Sequence, residues 1–230
     1  MKLALLSITG AAALSGVTTT TDWTAARTAL RQRDVGAVVV EGAAAPADAW
    51  RGAMEGDACA AVDVSCEACD CAVAAVQSAF APLWGAADED GAAAAQIVDL
   101  ARCYDRCLAD KSDGGRVRVR ATVTRGRATA PCPKLHTDFV ALRGLVALEG
   151  PGTVVAPEVN LAVSNLMPAW MVARMDRDEG AATVSPARDA FLLVKGESWG
   201  FGHAAAAHRS PAATDARRVL LAFDRLCDVE

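Results

Sequence analysis

Aromatic residues are scarce: Phe, Trp and Tyr make up 5% of the 230 residues, and alanine supplies much of the 53% hydrophobic content, so that figure overstates the bulky core. Histidine occurs only three times, which confines imidazole chemistry to His136, His203 and His208. No long basic run is present, and Lys+Arg 23 against Asp+Glu 28 gives a formal charge of −5. That balance lacks the electrostatic footprint of a nucleic-acid binder, so no nucleic-acid partner is expected. No GxGxxG or Walker pattern opens a helix, so Gly150-Pro151-Gly152 reads as a turn and not as a phosphate cradle. No apolar run is long enough for a stable membrane span, since Leu3–Val17 offers about 15 residues where a spanning helix needs about 20. With Lys2 before it, Ala13, Ser15 and Gly16 near its end and a polar string after it, this run matches a secretory signal peptide over residues 1–21. Cleavage would place the protein in the secretory pathway or an organelle; an ordinary N-terminal strand or helix would leave it cytoplasmic.

The eight cysteines show no repeated Cys-x-x-Cys pair of a zinc ribbon, so no metal is assigned to them. Cys66 and Cys69, and Cys103 and Cys107, are spaced to share a helix face and could meet across two packed helices as disulfides. Simple burial as small apolar side chains is the alternative of equal weight.

The length suits one large domain, and residues 22–230 are read as one unit whose periodicity changes near residue 115. Upstream the chain reads as a helical N-terminal part, 22–115, with helices over 23–34, 67–81 and 91–109 and a short apolar strand at Val35–Val40. In the last helix Ile97, Leu100, Ala101, Tyr104 and Leu108 form one stripe, which must bury against something and is expected to cover a sheet. Downstream, 116–230 reads as a β-rich core of about six short strands between Gly, Pro and Asp turns, an antiparallel sandwich or barrel. Arg116–Val123 alternates charged and apolar residues with period two, and its arginines are expected on a solvated face. Leu135–Leu148, Thr153–Val155, Ala190–Val194 and Val219–Phe223 supply the other strands.

The chemistry lies on this half. In Leu135-His136-Thr137-Asp138, residues 136 and 138 point to one strand face, so an imidazole and a carboxylate converge. His208 follows on a later strand that can return to the pair. Two histidines and one carboxylate leave about three positions of an octahedral ion open, the arrangement that suits iron(II) and dioxygen. Nine and ten residues on stand Arg217 and Arg218, whose planar guanidinium groups suit the far carboxylate of a 2-oxo acid. Arg217 is preferred, although which of the two faces inward depends on strand parity. His203, in the Gly-rich loop Trp199–His203, is the rival to His208, and Glu197 is a spare carboxylate or a turn acceptor. No catalytic residue is expected beyond the metal centre.

The blocks Cys132-Pro-Lys-Leu-His136-Thr-Asp138, Gly150-Pro-Gly-Thr153, Lys195-Gly-Glu197, His208-Arg-Ser-Pro211 and Arg218-Val-Leu-Leu-Ala-Phe-Asp224 resemble the family called domain of unknown function 1826 (DUF1826). More distantly, the order of an HxD, a distal His and a later Arg is similar to iron(II)/2-oxoglutarate oxygenases. That resemblance implies an α+β chain with a double-stranded β-helix (jelly-roll, cupin-like) core and N-terminal helices packed on it. It also implies His136, Asp138 and His208 as iron ligands and Arg217 as the 2-oxoglutarate anchor. The expected function is an Fe(II)/2-oxoglutarate-dependent oxygenase hydroxylating a small-molecule or protein substrate that the residues do not identify. The alternative is a non-catalytic or hydrolytic metal-homeostasis protein holding zinc or iron on the same ligands.

Overall fold

The computed structural model describes residues 16–44, 60–67, 72–84, 91–108, 116–156 and 183–226. Helix α1 (Trp23–Leu30) starts where the Asp22 carboxylate accepts the backbone N–H of Ala25 at 2.8 Å, satisfying one of the donors a helix start leaves free. Helices α2 (Ala72–Trp84) and α3 (Ala92–Leu108) follow, and α3 buries the expected stripe Ile97, Leu100, Ala101, Tyr104 and Leu108.

The helices cover one face of a seven-stranded mixed sheet. Its strands are β1 (Val17–Thr20), β2 (Ala37–Val40), β3 (Ala60–Glu67), β4 (Arg116–Gly126), β5 (Leu142–Glu149), β7 (Phe191–Lys195) and β9 (Thr214–Arg225), in the order β1-β2-β7-β5-β9-β4-β3. Strands β6 (Val154–Ala156) and β8 (Ala207–Arg209) pair separately, and bridges from His136 to His208 and from Val155 to Val184 widen that second layer to four extended segments. A largely antiparallel mixed sheet facing a smaller antiparallel layer, under a helical cover, makes the α+β jelly-roll expected above.

Strand alternation divides the side chains between two interiors. Val117, Val119, Leu142, Val146, Phe191, Leu193, Leu221 and Phe223 pack toward the helices against Phe80, Trp84, Ile97 and Tyr104. Ala37, Val39, Leu145, Val155, Leu192, Val194 and Ala206 fill the space between the layers. Gly144 lies where a Cβ would stand 2.6 Å from the Phe191 ring, so this position of β5 has room only for hydrogen.

Three expectations change. The helical N-terminal part, 22–115, contributes two strands: β2, where one was expected, and β3, formed against β4 by residues 60–67, where no strand was expected. Alanine and cysteine are poor strand markers, and the ladder with β4 supplies what propensity does not. Val17–Thr20, at the end of the expected leader, is hydrogen-bonded in parallel to β2, while residues 1–15 lie outside the described residues. The disulfide pairings also change: Cys66 stands in β3 and not on a helix, Cys69 lies outside the described residues, and Cys103 and Cys107 are free thiols one turn apart on α3. Burial pushes the Cys107 thiol up to about 12, as for a small apolar side chain. No helix among the described residues is long and apolar enough to cross a membrane.

The single tyrosine ties the helical layer to the sheet. Its buried hydroxyl donates to Leu142 O at 2.7 Å and accepts the N–H of Arg225 at 3.1 Å, joining α3 to β5 and β9. Tyr104→Phe leaves both backbone groups unpaired and should destabilise by about 1–3 kcal/mol. Urea denaturation should show this as a lower midpoint at unchanged slope.

Candidate metal centre

The backbone sets the histidine pair before any side chain does. His136 N–H donates to His208 O at 3.0 Å and His208 N–H donates to His136 O at 2.8 Å, so the two residues are direct cross-strand partners. Directly opposed residues put their side chains on the same face, and the two rings stand 4.5 Å apart between centroids. Asp138, two residues on, brings Oδ2 to 3.1 Å from His208 Nε2 and Oδ1 to 3.9 Å from His136 Nε2. One ligand atom from each of the three lies within 4.8 Å of the others, the one such group of three among the described residues.

The loop carrying Asp138 is held from outside. Glu197 N–H donates to Asp138 O at 2.9 Å, and Gly196 N–H donates to Ala141 O at 3.0 Å. A Cβ on Gly196 would overlap the carbonyls of Asp138 and Val140, so the chains approach this closely only through glycine. The Glu197 carboxylate accepts the Thr137 hydroxyl at 2.7 Å. It therefore braces the ligand loop and is not a ligand. His203 closes a turn on Gly200 O and sets its ring edge toward Trp199, outside the three-residue group.

The protonation states suit a cation. His136 Nδ1 lies 3.0 Å from Lys134 O; a carbonyl only accepts, so Nδ1 carries the proton and Nε2 keeps its lone pair. Burial is the main force lowering the His136 pKa, which keeps the ring neutral. Burial of Asp138 taken alone would raise its carboxyl, but the hydrogen bond from His208 and the Arg143 guanidinium outweigh it and hold the group below the usual carboxylate range. Two imidazoles and an ionised carboxylate are a donor set for Fe(II) or Zn.

Behind the carboxylate stands Arg143, which the sequence did not mark. Its Nη1 donates to Asp138 Oδ2 at 2.8 Å, while Nε and Nη2 grip Asp224 Oδ1 and Oδ2 at 2.7 and 3.0 Å. Desolvation opposes the charge of this guanidinium, yet Asp224 and Asp138 together raise its pKa. The ligand carboxylate is thus clamped to the strand floor.

The group opens into a cavity of about 190 Å³ between the two layers, whose floor comes from β4, β5 and β9. Strand parity settles the arginine pair. Val219, Leu221 and Phe223 face the helices, so Arg218, Leu220 and Ala222 face the cavity. Arg218 is 2% exposed; its Nε donates to Pro151 O at 3.0 Å and Nη2 to Thr153 Oγ1 at 3.1 Å. Arg217, preferred from the sequence, turns away and pairs with Glu149 Oε2 at 2.6 Å. The Gly150-Pro151-Gly152 turn is therefore the seat of Arg218. Gly150, at φ 75°, permits the close pass, since a Cβ would stand 2.6 Å from Arg217 O. The arginines of β4 also depart from a uniformly solvated face: Arg118 pairs with Asp63 on β3, but Arg120 lines the cavity.

Arg143→Met removes the clamp without opening a large void. Loss of a group that orients a ligand carboxylate should weaken metal affinity about 10–100-fold. Competitive titration of zinc against a chromophoric chelator checks this, with a circular dichroism spectrum to confirm folding.

Known proteins place these observations. Among curated protein sequences none matches the chain. The Arabidopsis thaliana dioxygenase for auxin oxidation 1, solved with 2-oxoglutarate, superposes with a TM-score of 0.53 at 12% identity, over 93% of this chain and 94% of that chain. The rice dioxygenase for auxin oxidation superposes with a TM-score of 0.50 at 19% identity, over 91% of this chain and 83% of that chain. At such identities the likeness is one of fold. The family model described as "Protein of unknown function (DUF1826)" matches residues 21–224, which take in every site residue and every helix and strand above except β1 and the last residue of β9, and the chain belongs to that family.

Proposed function

We propose that the protein is an Fe(II)/2-oxoglutarate-dependent oxygenase. One observation carries the proposal: His136 and His208, which converge with Asp138 behind them, line a cavity that also contains the buried guanidinium of Arg218. A three-residue facial set leaves positions for other ligands, and an arginine in the same cavity supplies the partner for an organic acid bound there. The two dioxygenase structures that share the fold, one with 2-oxoglutarate bound, support the same reading.

The chain's own residues would divide the work. His136 and His208 would offer ring nitrogens, and Asp138 an oxygen held ionised and oriented by Arg143. Arg218 would receive the distal carboxylate of 2-oxoglutarate, its fork already aligned by Pro151 O and Thr153 Oγ1. Burial lowers the Arg218 pKa to about 10, so it stays charged at neutral pH and meets an anion in a partly desolvated setting. Leu220, two residues along β9 from Arg218, would flank the methylene chain of that acid. Iron(II) with dioxygen and 2-oxoglutarate supplies oxidation of a substrate C–H bond to C–OH, with 2-oxoglutarate cleaved to succinate and carbon dioxide.

The two neighbouring arginines provide the test. Arg218→Met should abolish 2-oxoglutarate binding while leaving metal affinity within about threefold, because it removes a charge pairing at the cavity's other end. Arg217→Met should leave both unchanged apart from a small stability loss. Calorimetric titration of 2-oxoglutarate into the zinc-loaded protein measures both. Equal binding by the two variants would contradict the assignment, and tight metal binding without 2-oxoglutarate binding by the wild type would favour the metal-handling alternative.

A further inference from the structure

The cavity carries charge of one sign. Its lining includes Arg120, Arg143, Arg209 and Arg218 with His136 and His208, and no carboxylate, in a chain whose formal charge is −5. The nearest acids are already committed: Asp138 to His208 and Arg143, and Asp224 to Arg143 through two short bonds. Arg143 is thereby neutralised, and Arg218 is aligned by Pro151 and Thr153 for one carboxylate.

Arg120 differs from both. Its one hydrogen bond to an acid among the described residues runs from Nη2 to Asp224 Oδ2 at 3.5 Å, toward an oxygen that Arg143 already holds at 3.0 Å, and its cross-strand neighbour Asp63 is gripped by Arg118 instead. Its Nε is buried with no hydrogen-bond partner among the described residues. The side chain as a whole is 39% exposed, so the guanidinium is reachable from the cavity while keeping a donor that no protein acceptor among the described residues fills.

The register separates the two arginines. Arg120 stands opposite Ala222 and Arg218 opposite Thr124 in the β4–β9 ladder, four residues apart along β9. At strand rise that is roughly 13 Å between their backbone positions, so the two side chains rise from opposite ends of the floor. Thr122 and Leu220 lie between them on the floor.

We propose that Arg120 anchors a second anion site beside the metal centre, and that the molecule the protein acts on is a small organic carboxylate seated there while 2-oxoglutarate occupies Arg218. The inference rests on the oxygenase reading and names its substrate class. A single planar fork with Ala222 opposite it and Leu145 beside that suits a monocarboxylate with an apolar body; a phosphate would call for more donors.

The test uses the full chain loaded anaerobically with iron(II) and 2-oxoglutarate, and follows the charge-transfer absorption of that complex. Benzoate and cyclohexanecarboxylate are titrated against benzyl alcohol and inorganic phosphate. The carboxylates should perturb the band saturably and benzyl alcohol should not. Arg120→Gln should weaken the carboxylate response at least about tenfold while 2-oxoglutarate affinity stays within about threefold. Arg120→Lys, which keeps the charge without the fork, should fall between, and covers the case in which the Gln variant does not fold. The proposal is overturned if the wild type ignores the carboxylates, if phosphate alone perturbs the band, or if the response survives in both variants. It is also overturned if Arg120→Gln loses 2-oxoglutarate as Arg218→Met does, since Arg120 would then belong to the co-substrate. No band in the wild type at all would instead remove the oxygenase reading beneath it.

Discussion

The reciprocal pair of backbone hydrogen bonds between His136 and His208 is the constraint on which the centre depends. It brings residues far apart in sequence into direct opposition and places both imidazoles on one side of the second layer. Asp138 then needs only the two-residue period of an extended chain to join them. Gly196 and Glu197 press the carboxylate's loop into place from β7's end, and Arg143 holds the carboxylate from the main sheet. Three layers of support therefore converge on one oxygen-bearing side chain, in keeping with the need of a metal site for oriented ligands.

The same geometry sorts the charges. Along the floor an alternating series runs from Arg120 through Asp224 and Arg143 to Asp138. The two acids stand behind the lining and the arginines within it, so the surface that faces the cavity is left cationic. A divalent ion would add to that sign, and the balance is restored only by anions entering from outside. The cavity's electrostatics and its donor set thus point to one class of chemistry, although neither identifies a substrate by name.

Much of the site was legible in residue type and spacing. His136, Asp138 and His208 stand out because histidine is rare here and an HxD pair on an extended segment has one geometric consequence. The strands around them alternate clearly, although the strand read over Leu135–Leu148 begins only at Leu142. What was not legible depended on long-range packing. The choice between Arg217 and Arg218 turned on parity, and Val219–Phe223 is apolar on both faces, so the pattern alone carries no preference. Arg143 gave no signal because its partner Asp224 is 81 residues away. Gly150–Gly152 was correctly a turn, but its role as the seat of Arg218 exists only once β9 returns beside it. Strand β3 was missed because Ala-Ala-Val-Asp-Val-Ser-Cys-Glu carries little β propensity and is specified by its pairing with β4.

The measurement that bears most directly on the central claim is iron K-edge X-ray absorption on the protein reconstituted anaerobically with one equivalent of iron(II). The account predicts a first shell of nitrogen and oxygen atoms with the multiple-scattering pattern of two imidazoles, reduced to one in His208→Ala. A shell containing sulfur, or an unchanged spectrum in that variant, would contradict a centre built on His136, Asp138 and His208.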